Sequence, residues 1–186
     1  MEKSSVSKKQ LLKELDGQLK KLQGELVVVQ KVTGIDEYIQ VKVKKDQARF
    51  ERVRIEDGAD KGTGKFFIQI DITAKLENVF IPISIASGKK ATGFIYQIEG
   101  TAEGSITTAN VTCRGEGVTQ VTLGTLLYAK IPPGKTASFR IQATIRGKIG
   151  KTYKITINRI NYKLNLSDAR YKQYIKEIVS DSVKFS

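Results

Sequence analysis

Few side chains in this chain can do covalent or acid–base chemistry. It has no His and one Cys, Cys113. Without imidazole there is no Ser-His-Asp triad, no Cys-His dyad, no His-ligated zinc and no imidazole base. A lone thiol excludes an intrachain disulfide and a multi-Cys metal site. As a nucleophile, Cys113 would need Lys or a carboxylate as its base. Its alternation with Thr112, beside Ala109 and Val111, reads instead as a structural thiol on an apolar face.

The remaining candidates weaken on spacing. Gly58-Ala-Asp-Lys-Gly-Thr-Gly-Lys65 superficially looks like a phosphate loop. Phe66 stands where Ser or Thr must follow the Gly-Lys pair, and the segment leads into a strand, not a helix. Acidic residues sit in turns (Asp36-Glu37, Glu56-Asp57, Asp60) or singly on polar faces, so no spacing selects a pair for glycoside hydrolysis. Asp57 and Asp60 lack the regular spacing of a calcium loop. Asn110-Val-Thr112 and Asn165-Leu-Ser167 match the glycosylation acceptor pattern, which matters only in a eukaryotic secretory route. The expectation is a non-enzymatic chain with no catalytic residue, no cofactor and no metal site.

Charge is the feature left to explain. The 186 residues carry 32 Lys+Arg and 19 Asp+Glu, a net charge of +13. Residues 1–31 contribute +3, residues 32–129 are neutral, and residues 130–186 contribute +10. Lys130 to Lys163 holds Lys130, Lys135, Arg140, Arg146, Lys148, Lys151, Lys154, Arg159 and Lys163 with no acid among them. Of these, Arg140, Arg146, Lys148, Lys151, Lys154 and Arg159 are the candidate contacts for a polyanion, either an anionic cell-wall polymer or nucleic acid. The competing reading is that they solvate outer strand faces and protect edges. Base readout by a β surface needs aromatics on the basic face. Phe139 and Tyr153 fall in phase with apolar residues, which leaves Tyr162 as the exposed aromatic. Contact with a polymer backbone suits this stretch better than base stacking.

The elements that must position these residues follow from periodicity. Leu12, Leu15, Leu19, Leu22 and Leu26 recur at steps of 3, 4, 3, 4 and predict an amphipathic helix over residues 7–26. Gly17 and Gly24 fall on its outward side, and Ser7 with Gln10 can form a capping box. Two heptads do not hold an isolated coiled coil. The leucine stripe therefore either docks on the domain or serves a stalk or homo-oligomer contact. No targeting signal or membrane span is visible; the longest apolar run near the N-terminus is Leu26 to Val29.

Beyond the helix the period changes to two. Leu26–Val32, Tyr38–Lys44 and Ala48–Ile55 are expected strands, followed by a turn-rich Glu56–Lys65. Ile68, Ile70, Ile72, Ala74 and Leu76 share one face of the clearest strand. Ile81, Ile83 and Ile85 are in phase in the next, where Pro82 marks an edge strand or bulge. Phe94–Glu99, Ile106–Cys113 and Val118–Tyr128 continue the series, and Ile131–Thr136 forms a turn. Ala137, Phe139, Ile141, Ala143 and Ile145 then alternate with polar residues. In Tyr153–Tyr162 the phase slips after Ile157, as at a bulge. Residues 168–186 fit either a short helix opening at Ser167-Asp168, with Tyr171, Tyr174, Ile175 and Ile178 on one face, or an extended tail. Strands at roughly ten-residue spacing with Gly-rich turns predict a mainly β, antiparallel sandwich over 27–186 behind the 1–26 helix. A parallel βαβ fold is disfavoured.

Three stretches carry a resemblance: Phe66–Pro82 as a strand, a turn and an Ile-Pro strand; Ile131–Ile145 as a proline-glycine turn with an alternating strand; and Gly150–Tyr162 after it. Together, over about 65–186, they resemble the immunoglobulin-like β-sandwich modules of bacterial cell-surface proteins. They are most similar to those of candidate-phyla bacteria. The resemblance implies extracellular display at the cell surface and a structural or adhesive role. It carries over no functional residue set.

Overall fold

The structure is a computed structural model, and it describes residues 17–18, 37–44, 51–53, 61–88, 92–100 and 105–185. The chain divides into two units, Met1–Asp36 and Glu37–Ser186. In the first, only Gly17 and Gln18 are described, and both are helical. The expected leucine stripe and the expected strand at Leu26–Val32 lie outside the described residues. In the second unit the described elements are all strands.

The order is β1 (Ile39–Lys44), β2 (Glu51–Val53), β3 (Lys61–Ala74), β4 (Val79–Pro82), β5 (Ile85–Ala86), β6 (Phe94–Glu99) and β7 (Ser105–Arg114). It continues with β8 (Thr119–Leu123), β9 (Leu126–Ile131), β10 (Thr136–Lys148), β11 (Thr152–Tyr162), β12 (Lys172–Tyr174), β13 (Ile178–Val179) and β14 (Val183–Lys184). β1-β3-β10-β7 form one sheet, with β2 also on β3. β12-β11-β6-β5 form a second, with β13 and β14 also on β11, and β4-β9-β8 form a third. Every pairing is antiparallel except β5 with β6. The architecture is therefore mainly β with antiparallel sheets, consistent with a β-sandwich.

Alternation explains how these sheets share one core. Ile68, Ile70, Ile72 and Ala74 of β3 point inward beside Ala137, Phe139, Ile141, Ala143 and Ile145 of β10. Tyr153, Ile155, Ile157 and Ile160 of β11 and Phe94 of β6 complete the same cluster. Phe94 and Phe139 meet across the layers with ring centroids 5.3 Å apart. Each fully buried Ile or Phe contributes about 1.5–3 kcal/mol. An exposed pair such as Lys135–Glu116, at 3.7 Å, contributes about 0–1 kcal/mol. The apolar layer, not the abundant charge, holds the fold.

Some expectations hold and others need correction. Lys61–Lys65 is strand rather than turn, because it runs on against Thr144–Lys148 of β10. A Cβ at Gly62 would stand 3.2 Å from the Ile149 side chain, so glycine here makes room for a neighbour inside a ladder. Leu76 is 64% exposed, since β3 ends at Ala74 before the alternation reaches it. Val118–Tyr128 is a hairpin. Gly124 at φ 61 begins its two-residue loop, with Leu123 paired to Leu126. Non-Gly residues with positive φ are absent among the described residues, so the loop has the type II′ pattern with Gly first. Residues 172–184 are extended: β12, β13 and β14 tile one edge of β11, and no helix forms there. The phase slip in β11 is a register shift between Ile157 and Arg159 against β6. Pro82 closes β4 at one side of the three-stranded sheet, as its missing N–H requires.

Candidate polyanion-binding face

The inward turn of one face of β3 and β10 forces the alternate residues outward. Their register with β1 and β7 then decides which side chains meet. In β10 the outward set is Thr136, Ser138, Arg140, Gln142, Thr144, Arg146 and Lys148. Beside it stand Lys65, Phe67, Gln69, Asp71 and Thr73 of β3, Lys42 and Lys44 of β1, and Thr112 and Arg114 of β7. Among its described side chains this face carries seven cations (Lys42, Lys44, Lys65, Arg114, Arg140, Arg146, Lys148) and one acid, Asp71. At about 3.4 Å per residue the cations of β10 alone span roughly 27 Å.

Asp71 is bound into the face. Its carboxylate accepts the Ser138 hydroxyl at 2.5 Å and pairs with the Lys44 ammonium at 3.0 Å. Burial pushes its pKa up, but the Ser138 and Lys44 hydrogen bonds and the charges of Lys44 and Lys42 outweigh that and hold it below the ordinary 3.8. The acid is thus ionised near neutral pH and already matched. Arg140 lies over the Phe67 ring at 4.5 Å from its centroid, a cation–π contact. Phe67 is only 6% exposed although it sits on the polar side of β3.

The six candidates from the sequence divide. Arg140, Arg146 and Lys148 share the face of the five-stranded sheet. Lys151 lies in the short connection between β10 and β11. Lys154 and Arg159 belong to β11 in the other large sheet. Lys154 is taken up by Glu99 at 2.7 Å, and the Thr156 hydroxyl donates to the same carboxylate. Those two hydrogen bonds, Lys154 first, hold Glu99 below its ordinary pKa against the opposing effect of desolvation. Lys163 is buried, and its ammonium donates to the carbonyls of Asp168 (2.6 Å) and Leu166 (3.3 Å). It therefore organises a loop rather than adding to the basic surface. Lys42, Lys44, Lys65 and Arg114 were missed because they lie in the neutral stretch. Lys65 fell in an expected turn and Arg114 just past an expected strand, and only the pairing register brings all four beside β10.

Tyr162, expected to be exposed, is 1% exposed, and Phe139 and Tyr153 are fully buried. Past the bulge, Tyr162 faces inward with Ile160. Cys113 faces inward opposite Phe139 and is half-buried. Burial pushes its thiol up to about 11, so it is a neutral thiol at pH 7. Among the described residues, no three His, Cys, Asp or Glu side chains gather as a metal site, and no helix is long and apolar enough to cross a membrane. Set beside known proteins, the chain matches no protein-family model and no curated sequence at a significant level.

Proposed function

We propose that the chain is a non-enzymatic, immunoglobulin-like β-sandwich module of cell-surface type, displayed outside the cell, whose basic sheet face contacts an anionic polymer. The observation that carries this reading is the concentration, among the described side chains, of seven cations against one matched acid on the outward side of β1, β3, β10 and β7. A face that served only for solvation gains nothing from so large an excess of one sign, since mixed signs solvate equally well and repel less. The scarcity of open aromatics there favours contact with charged groups along a polymer over stacking on nucleobases.

The test is retention on immobilised heparin by the full chain. Reversing Arg140, Arg146 and Lys148 together to Glu is expected to abolish retention. Reversing Arg170, Lys176 and Lys184, an equal change in net charge on the C-terminal segment, is expected to leave most of it. Equal loss in both variants would mean that net charge, not this face, governs binding.

A further inference from the structure

We infer that a small cleft on this face, between Arg114 and Arg140, seats a single tetrahedral oxyanion, a sulfate or phosphate group carried by the polymer. The inference rests on the polyanion reading above and adds where an individual anionic group is held.

The cleft is lined by Gln69, Thr112, Arg114, Ser138 and Arg140 and has a volume of about 240 Å³. That lies below the roughly 300–1,000 Å³ of pockets that enclose drug-sized ligands. At roughly 30 Å³ per water it suits one oxyanion with a few waters. The sheet register builds it. Gln69, Arg140 and Thr112 form one row across β3, β10 and β7, and Ser138 and Arg114 stand opposite each other in the next outward row. Arg114 and Arg140 are therefore diagonal neighbours, which stand about 7–8 Å apart in such a pair, their Cβ atoms somewhat closer. That spacing lets both forks reach one anion.

Two cations side by side repel unless something negative lies between them. Among the described residues neither guanidinium has a carboxylate partner, whereas Lys44, Lys135 and Lys154 each have one. The acid on the face, Asp71, does not fill the gap, because Ser138 and Lys44 already hold it. The contact of Arg140 with the Phe67 ring is a cation–π contact, which takes up no N–H···O bond and leaves the guanidinium N–H groups to donate. The Thr112 hydroxyl and the Gln69 amide supply neutral donors at the same rim.

The experiment measures affinity of the full chain for a heparin oligosaccharide (sulfate), inorganic polyphosphate (phosphate) and polyglutamate (carboxylate) at one ionic strength. Arg114→Gln with Arg140→Gln is compared with Arg146→Gln with Lys148→Gln, which removes the same charge from the same face. Thermal melts check folding. The first pair is expected to weaken sulfate or phosphate polymer binding by about tenfold more than the second, because it removes charge-assisted bonds in defined geometry. Arg114→Lys with Arg140→Lys, which keeps the charge and loses the fork, is expected to recover only part of the loss. The preferred polymer identifies the group. Equal losses in the two Gln pairs would overturn the seat while leaving the polyanion face standing. Polyglutamate binding that matches both other polymers would overturn its tetrahedral selectivity. A wild-type chain that binds none of the three at low salt would overturn the polyanion reading itself.

Discussion

Asp71 and Gly147 carry consequences beyond their size. Asp71 is ionised and paired in the fold, with its pKa held below 3.8. A depressed carboxylate contributes stability that is present above its unfolded pKa and lost as pH falls through the folded one. Asp71→Asn is therefore expected to lower the melting temperature at neutral pH. The gap from wild type should close as the pH drops below about 3.8; a gap constant with pH would show that the charge is not what matters. Gly147 is a packing constraint. A Cβ there would lie 2.3 Å from the ring of Tyr153. That ring is fully buried, its hydroxyl accepts the Lys148 backbone N–H at 2.7 Å, and Phe185 packs on it at 4.7 Å. It has nowhere to retreat. Gly147→Ala should destabilise by about 1–3 kcal/mol in denaturant unfolding, the usual cost of overpacking. An unchanged midpoint would contradict this packing.

Connections and edges decide the element scale. The chain leaves β10 and enters β11, in the other large sheet, through residues 149–151 alone. The C-terminal segment clamps this crossing. Gly150 N–H donates to the Phe185 carbonyl at 2.7 Å, and Phe185 N–H donates to the Lys151 carbonyl at 2.9 Å. Phe185, 2% exposed, then covers Tyr153. Phe185→Ala is expected to cost about 3–5 kcal/mol, read as a fall in unfolding free energy. A loss under 1 kcal/mol would mean that the C-terminal strands are dispensable. Much at this scale was legible. Phe94–Glu99 is a strand with those ends, and the slip after Ile157 marked a real bulge, because both signals are local alternation. The 123–126 hairpin was legible in principle, since Leu-Gly-Thr-Leu is a Gly-first loop signal inside an unbroken β run. Lys61–Lys65 was not, because its strand state comes from pairing with distant β10 and overrides two glycines. The edge strands after Tyr171 were also hidden, since short segments with β-branched residues read equally as helix or strand until a partner edge selects one.

On the scale of the whole molecule, charge and core separate cleanly. The +10 of residues 130–186 was visible as composition, but composition could not divide it. Folding sends Arg140, Arg146 and Lys148 to one sheet face and Lys154 and Arg159 to the other sheet, and it buries Lys163. It also recruits Lys42, Lys44, Lys65 and Arg114 from a stretch with no net charge. The basic face is thus a product of register, which no run of residues displays. If it binds a polyanion by displacing counterions, log affinity must fall linearly with log salt, with a slope set by the number of cations engaged. The most direct measurement is that slope for heparin, in the wild-type chain and in the variant with Arg140, Arg146 and Lys148 reversed to Glu. A steep negative slope in the wild type that collapses in the variant is the expected result. Affinity that is insensitive to salt, or a steep slope that survives the reversal, would contradict the assignment of this face.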